Sequence, residues 1–279
     1  MGLFFNFDRP GPGIDKDAPK KKGIFLYFEL FFRKFWILAK ANMLYFAVSL
    51  PVMAIYNFII INVLSILLPS EAHEAVWQWS VIFTAIITIL WGTGPVSGGY
   101  TYILRNSARE EHVWVWSDFF EKSKETFKIG IIMLIADIIV LIFGINAVSV
   151  YISLIKSGYA FAKYALAVML LCFMFYTFMH YYIYEFGITF ENKTGKTFQN
   201  ALITGIATLP GNLFLTAFAV AVTVLLFEII KPVLIILLLF FVWISFMRFP
   251  IDFYAARMIK RRFIDNKIGE SGEKDDGVS

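Results

Sequence analysis

Long apolar runs alternate with short polar segments along most of this chain. Runs of helix length cover residues 43–68, 81–104, 129–154, 165–184, 212–227 and 233–246. A helix needs about 20 apolar residues to cross a bilayer, and only helices or closed barrels satisfy every backbone polar group in lipid. No run shows the strict alternation of a barrel strand. The pattern predicts an all-α polytopic membrane protein with about six transmembrane helices.

The last two runs are the shortest, and only residues 228–232 separate them. We expect two full crossings, with one broken or re-entrant pair as the alternative. Residues 24–262 are predicted to form a single helical membrane domain. It lies between a polar segment, residues 1–23, and a polar tail, residues 263–279, whose composition is typical of disorder. The apolar but charged residues 23–36 predict a helix at the membrane interface or one continuous with the first span.

Basic residues crowd one side of the predicted bilayer. Of the 25 lysines and arginines, only Lys156, Lys163 and Lys231 fall on the other side. Because basic loops stay in the cytoplasm, the bias predicts that both termini are cytoplasmic and that the crossings are even in number. Arg248 counts here among the cytoplasmic residues that follow the sixth span. The predicted location is the plasma or inner membrane of a cell.

The amino-acid composition argues against several classes of protein function. Hydrophobic residues make up 59% of the chain and charged residues 16%, against roughly 25% charged in a soluble domain. The net charge of +4 is not gathered into the basic, aromatic stripe of a nucleic-acid-binding face. Cys172 is the single cysteine, and no spacing predicts a metal site, a cofactor or a catalytic constellation. We therefore expect a non-enzymatic membrane protein whose first partner is the lipid bilayer.

The second run contains an unusual group of small residues within the segment WGTGPVSGGY, residues 91–100. They are Gly92, Gly94, Pro95, Gly98 and Gly99. Glycine allows close helix contact, and proline frees a carbonyl that needs another partner. One interpretation is a kinked helix that lines a cavity or docks a partner; the other is ordinary close packing.

Asp137 is the one acidic residue deep inside an apolar run. Burying it in lipid costs a few kcal/mol unless it is protonated or paired, so it marks either a functional position or a neutral hydrogen-bonded contact between helices. The expected partners are Asn42, Asn57, Asn62 or a basic residue near the inner face. His180 is expected to be an interfacial histidine at the inner end of the fourth span.

Two segments outside the spans resemble each other, FFEKSKETFKIGI from residue 119 and TFENKTGKTFQNAL from residue 189. Phe120-Glu121 and Thr126-Phe127 match Phe190-Glu191 and Thr197-Phe198. This predicts a parallel internal repeat with short amphipathic cytoplasmic helices. Chance similarity between two aromatic, lysine-rich segments is the alternative.

Three stretches resemble the YesL family of bacterial membrane proteins: residues 1–36, the Asn42-Met-Leu-Tyr45 entry with Ser49-Leu50-Pro51, and residues 94–128. The resemblance covers nearly the whole chain, although the final spans match by hydropathy alone. The positions on the family pattern are Pro95, Gly99, Arg105, Asp118, Phe119 and Phe127. Asn42 and Pro51 join the five small residues above as family and packing positions.

The resemblance implies an accessory role. Family members are typically found in Gram-positive bacteria beside genes for carbohydrate ABC transporters and glycan-degrading enzymes. The implied partners are the permease subunits of an oligosaccharide importer, with the oligomeric state left open. The expected cytoplasmic contact residues are Arg105, Trp116, Asp118, Phe119 and Phe127 in one loop, and Phe190 and Phe198 in the other.

Within the first loop, Arg105 is expected to pair with Asp118. The alternative function is a stand-alone small-solute transporter or channel lined by Asp137 and the glycine-rich second helix. A membrane-embedded enzyme is a third possibility that no constellation of residues supports.

Overall fold

The computed structural model describes residues 24–67, 73–190, 193–230 and 232–265. The predicted polar segment at residues 1–23, Glu191 of the apparent repeat, and nearly all of the predicted tail lie outside the described residues.

Helices account for nearly all of the described chain. They are α1 (Ile24–Arg33), α2 (Phe35–Leu67), α3 (His73–Leu90), α4 (Ser97–Ala108), α5 (Val115–Glu125), α6 (Phe127–Lys156), α7 (Phe161–Thr189), α8 (Thr194–Ala207), α9 (Leu209–Ile229), α10 (Pro232–Leu238) and α11 (Ile244–Ile259). A π-helical turn, Leu239–Trp243, joins α10 to α11, and a second, Lys260–Asp265, extends α11. The described residues contain no strand, and the all-α fold is confirmed.

Five helices in the described part of the chain are long and apolar enough to cross a bilayer. They are Phe35–Ile66, Phe127–Lys156, Phe161–Thr189, Leu209–Ile229 and Leu234–Phe263, and a shorter apolar helix covers Glu74–Leu90. The protein is therefore a multi-pass membrane protein. The last two predicted spans correspond to two long helices, so no re-entrant pair is needed there.

The second predicted span, residues 81–104, is not one helix. α3 ends at Leu90 and α4 begins only at Ser97. Between them Gly92 has φ of 85° and Gly94 has φ of 71°, a left-handed conformation that glycine adopts without the steric cost of a Cβ. The two glycines therefore break the helix just before Pro95.

The first described helix, α1, packs against the last one, α11. The Tyr27 hydroxyl of α1 donates to the Phe246 carbonyl of α11 at 2.8 Å. Near the end of α11, the Phe263 ring packs edge-on against Phe186 at 5.0 Å.

Each amphipathic helix meets the following span at a buried threonine. Thr126 joins α5 to α6 and donates to the Lys122 carbonyl at 2.7 Å, and Thr208 joins α8 to α9 and donates to Thr204 at 2.7 Å. The predicted short loop helices therefore exist. The residue matches are not structurally equivalent, however, because Thr197 lies inside α8 whereas Thr126 lies between two helices.

The broken second span packs closely against α6. A Cβ placed on Gly130 would lie 2.6 Å from Pro95 Cα and 2.7 Å from the Gly94 carbonyl oxygen. Both neighbours are backbone atoms, which cannot rotate away as a flexible side chain can. The glycines therefore allow α6 to pack closely against residues 94–95, and they also allow the break between α3 and α4.

Replacing Gly130 by alanine should destabilise the bundle by about 1–3 kcal/mol, because the new methyl group overpacks a backbone contact. Gly144→Ala is the matched control on the same helix, since nothing lies within 4 Å of the added Cβ. Thermal unfolding in detergent should show a lower midpoint for Gly130→Ala alone. Equal midpoints for the two variants would contradict the close approach of α6 to residues 94–95.

Candidate functional site: a buried ionisable cluster

Asp137 lies on α6 with its side chain fully buried. The Tyr56 hydroxyl of α2 donates to Oδ2 at 3.1 Å, and the Tyr176 hydroxyl of α7 donates to Oδ1 at 2.5 Å. His180 Nε2 lies 3.0 Å from the same Oδ1. Asp137 therefore joins three helices through polar contacts of a kind that a bilayer cannot supply.

The asparagines expected beside Asp137 have other partners, so that prediction was wrong. Asn57 donates to Ser80 and Thr84 at 3.2 Å each, and Asn62 donates to Phe58 of its own helix at 2.7 Å. Asn57 follows Tyr56 directly but lies on another face of α2, toward α3. The basic residue beside Asp137 is His180.

Asn42 binds the π-helical turn instead. Its Nδ2 donates to the carbonyls of Leu239 and Phe240 at 2.7 Å each, and its Oδ1 accepts the Ser245 backbone N–H at 2.7 Å. A π turn leaves backbone carbonyl and N–H groups without their usual helical hydrogen-bond partners, and the Asn42 amide bonds to them instead. Pro51, the other predicted position on α2, lies inside the helix on an exposed face.

His180 is fully buried and is not the interfacial residue that was expected. Its Nδ1 lies 2.9 Å from the Trp91 carbonyl oxygen, and its ring stacks on the Trp91 indole at 5.4 Å with an angle of 10°. A carbonyl oxygen only accepts hydrogen bonds, so Nδ1 carries a proton. The ring is thereby fixed with Nε2 on the side of Asp137.

His180 Nε2 and Asp137 Oδ1 are close enough to share a proton. With Nδ1 protonated and one proton shared, the pair is either carboxylate with imidazolium or carboxylic acid with neutral imidazole. Nε2 lies off the line of an ideal hydrogen bond to Oδ1, although the atoms are in contact. Both forms have zero net charge, which makes the pair far less costly in a bilayer than an isolated ion.

Arg248 lies close to this cluster, inside the last long helix, Leu234–Phe263, whereas the last span was predicted to end before it at residue 246. It is 1% exposed on α11, where Nη1 donates to the Ile89 carbonyl at 3.3 Å and Nε lies 3.4 Å from Asp252 Oδ2. Ile89 and Trp91 are at the end of α3, where helix carbonyls have no partner in the next turn. Two basic side chains therefore satisfy the negative end of the broken helix.

Hydroxyl groups fill the other side of the break. Ser97 Oγ accepts the Thr93 backbone N–H at 2.9 Å, and the Thr93 hydroxyl contacts Tyr45 at 3.0 Å and Ser49 at 2.9 Å. The Tyr45 ring stacks on Tyr100 with centroids 4.0 Å apart. Residues 91–96 are therefore fixed from α2 as well as from α7 and α11.

Arg105 does not pair with Asp118 as predicted. Its Nη1 donates to Thr189 at 2.9 Å and lies 3.6 Å from the buried Glu185 carboxylate. Asp118 instead accepts the Trp114 backbone N–H at 2.9 Å, at the start of α5. Arg105 thus ties α4 to α7.

The predicted contact residues are only partly available at the surface. Phe119 is fully buried and Arg105 is 7% exposed, so neither can contact a partner directly in this conformation. Trp116 and Phe127 are exposed, whereas Asp118, Phe190 and Phe198 are partly exposed. Trp114 is as exposed as Trp116 but was not among the predicted contact residues. The sequence pattern Trp-Val-Trp indicated that it could be one.

Several buried polar atoms in the same region have no protein partner. They include Glu185 Oε1 and Asp252 Oδ1. Such atoms are uncommon in folded proteins and indicate sites for water or a small polar solute. Among the described residues, no group of three or more His, Cys, Asp or Glu side chains could hold a metal ion.

Searches against protein-family models, curated proteins and solved structures found no match. The YesL resemblance and the carbohydrate-importer partner therefore stay predictions from the sequence.

Loss of the Tyr176 hydroxyl should destabilise the protein by about 1 kcal/mol, because Asp137 loses a donor that no lipid or water replaces. Tyr164→Phe on the same helix is the control, since that side chain is 76% exposed and should change stability little. The measurement is reversible unfolding of Tyr176→Phe and Tyr164→Phe in mixed micelles. A Tyr176→Phe variant as stable as the wild type would show that Asp137 does not depend on this contact.

Proposed function

We propose that this protein is a non-enzymatic membrane subunit that docks a protein partner through the hairpin formed by α4 and α5. The partner class implied by the sequence is the permease of a carbohydrate ABC importer. The observation that supports docking is the aromatic tip of the hairpin, formed by Trp114, Trp116 and Phe120. The two tryptophans are 69% and 70% exposed, and tryptophan is enriched where binding energy concentrates in protein interfaces.

The hairpin is held rigidly beneath this tip. A Cβ on Gly99 would collide with the Phe119 carbonyl and one on Gly98 with the Thr126 side chain, so α4 and α5 are in backbone contact. Arg33, at the end of α1, lies 2.6 Å from Glu110 in the loop of the hairpin. A surface that is already ordered loses little conformational entropy on binding.

A second group of exposed aromatic residues lies around α1 and is assigned to lipid. Phe25, Phe32 and Trp36 are exposed around α1 beside Arg33 and Lys34, as suits a helix lying against an anionic leaflet.

Near the tip, Glu111 and Glu121 are exposed and Asp118 is partly exposed. The exposed Arg109 and Lys124 lie near these carboxylates, so the tip carries both signs of charge. A protein groove with an apolar floor and a rim of both charges is the surface that fits the tip.

Replacing both Trp114 and Trp116 by alanine should abolish recovery of the partner, because the variant loses the main apolar contact of the tip. Trp36→Ala is the control: it removes an equally exposed tryptophan, 75% exposed, from the start of α2, beside the helix assigned to lipid. The measurement is affinity purification from native membranes after mild crosslinking, with mass spectrometry of what is recovered. The double variant should lose importer permease subunits and Trp36→Ala should retain them.

Equal recovery from both variants would contradict docking through the tip. If the double variant loses a partner other than a permease, that result would support docking through the tip. It would also overturn the assignment of an importer permease as the partner.

A second candidate, a small-solute transporter, is favoured by the broken span beside the Asp137–His180 pair. Transporters often bind substrates and ions where a transmembrane helix is interrupted, with the freed backbone groups facing the site. Here the break lies beside a carboxylate and an imidazole that are close enough to share a proton, and near polar atoms without hydrogen-bond partners, such as Glu185 Oε1. That arrangement suits coupling of solute movement to protons.

Proton flux into liposomes distinguishes this candidate from the docking role. With an enclosed pH-sensitive dye and an imposed potential, the wild type should exceed protein-free liposomes. Asp137→Asn should reduce the flux about tenfold or more, since an amide keeps the shape of the site but cannot exchange the proton. Asp118→Asn, outside the spans, should have no effect. Equal fluxes from wild type and empty liposomes would exclude this candidate.

A further inference from the structure

An apolar cavity of about 570 Å³ opens between α2, α3, α6, α7 and α9. Its walls include Ile60, Ile87, Leu141, Phe173 and Leu213, and Trp91 contributes to its floor. The volume lies within the range of small-molecule binding sites, roughly 300–1,000 Å³. It is separate from the hairpin tip and from the ionisable cluster.

The polar groups at the cavity wall are already satisfied. Thr177 accepts the Trp91 indole N–H at 3.0 Å and donates to the Phe173 carbonyl at 3.0 Å. Thr216 donates to the Asn212 carbonyl at 2.7 Å and shares its oxygen with the Tyr181 hydroxyl at 2.6 Å. A sugar, an amine or a carboxylate would lose its hydration here and gain no partner, which costs several kcal/mol for an amide or hydroxyl alone.

The mouth of the cavity lies at membrane depth. Its outer residues, Phe83, Leu170 and Leu213, are all exposed. Leu170 and Leu213 belong to helices long enough to cross the bilayer, and Phe83 belongs to the shorter apolar helix. At this depth the surrounding solvent is hydrocarbon, and apolar cavities stay dry and accept apolar ligands.

We propose that this cavity binds one hydrocarbon chain of a membrane lipid, inserted from the side between α3, α7 and α9. A fatty acyl chain and an isoprenoid chain share the chemistry that the walls select, and the polar head stays outside the mouth. The inserted chain packs on Trp91, so its binding stabilises the position of the indole that stacks on His180.

The test uses the full-length protein in nanodiscs with two photoactivatable probes: a phospholipid with a diazirine in one acyl chain, and a polyisoprenyl phosphate with a diazirine in its chain. After irradiation, mass spectrometry maps the modified residues. Adducts should concentrate on interior wall residues such as Leu141 and Ile87. The probe that gives these adducts identifies which lipid class supplies the chain.

Leu213→Trp places a larger side chain at the mouth and should reduce interior adducts several-fold. Phe214→Trp is the matched control, because Phe214 is the next residue on α9, is 68% exposed and is not part of the cavity wall. Its adduct pattern should match the wild type.

Adducts spread evenly over lipid-facing residues such as Phe143 and Val168, with no excess at Leu141, would overturn the proposal. Undiminished interior labelling in Leu213→Trp would also overturn it. If that variant does not fold, the wild-type adduct map alone decides between the two outcomes.

Discussion

The structure depends on one constraint: a helix broken inside a bilayer leaves carbonyl groups that only protein can satisfy. Gly92 and Gly94 break the second span, and the carbonyls of Ile89 and Trp91 lose their places in a continuous helix. Arg248 and His180 donate to those two oxygens. Because these side chains come from α11 and α7, satisfying the break also fixes where both helices pack.

Arg248 and His180, both buried inside the bundle, then require negatively charged partners. Asp252 lies one turn beyond Arg248 on the same helix, and Asp137 reaches His180 from α6. Removing one member of a buried pair typically costs about 3–5 kcal/mol, since the other charge is left uncompensated. Asp137 can therefore be essential to the fold whether or not its proton moves, and a loss of function in its variants must be separated from a loss of folding. Asp137→Asn keeps the volume and one acceptor oxygen but removes the carboxylate charge, so its unfolding has to be measured beside its activity.

The sequence predicted the features that depend on nearby residues and missed those that depend on distant ones. Apolar runs located the spans, and the cost of a buried carboxylate singled out Asp137. Arg248 was misplaced because the positive-inside rule counts charges by distance from a span and cannot see a partner 159 residues away. His180 was misjudged for the same reason, since Trp91 and Asp137 come from other helices. The glycines predicted close packing, but their positive φ angles could not be told from composition.

Trp91 forms the boundary between the two unusual regions of the bundle. It contributes to the floor of the apolar cavity, and its ring stacks on His180. Its own backbone carbonyl accepts a hydrogen bond from Nδ1 of that histidine. A shift of this residue therefore changes the cavity and the geometry of the Asp137–His180 pair together. Because α4 begins only six residues later, at Ser97, the same shift is transmitted to the base of the α4–α5 hairpin. The apolar cavity, the Asp137–His180 pair and the base of the α4–α5 hairpin thus meet at one side chain and the short segment that follows it.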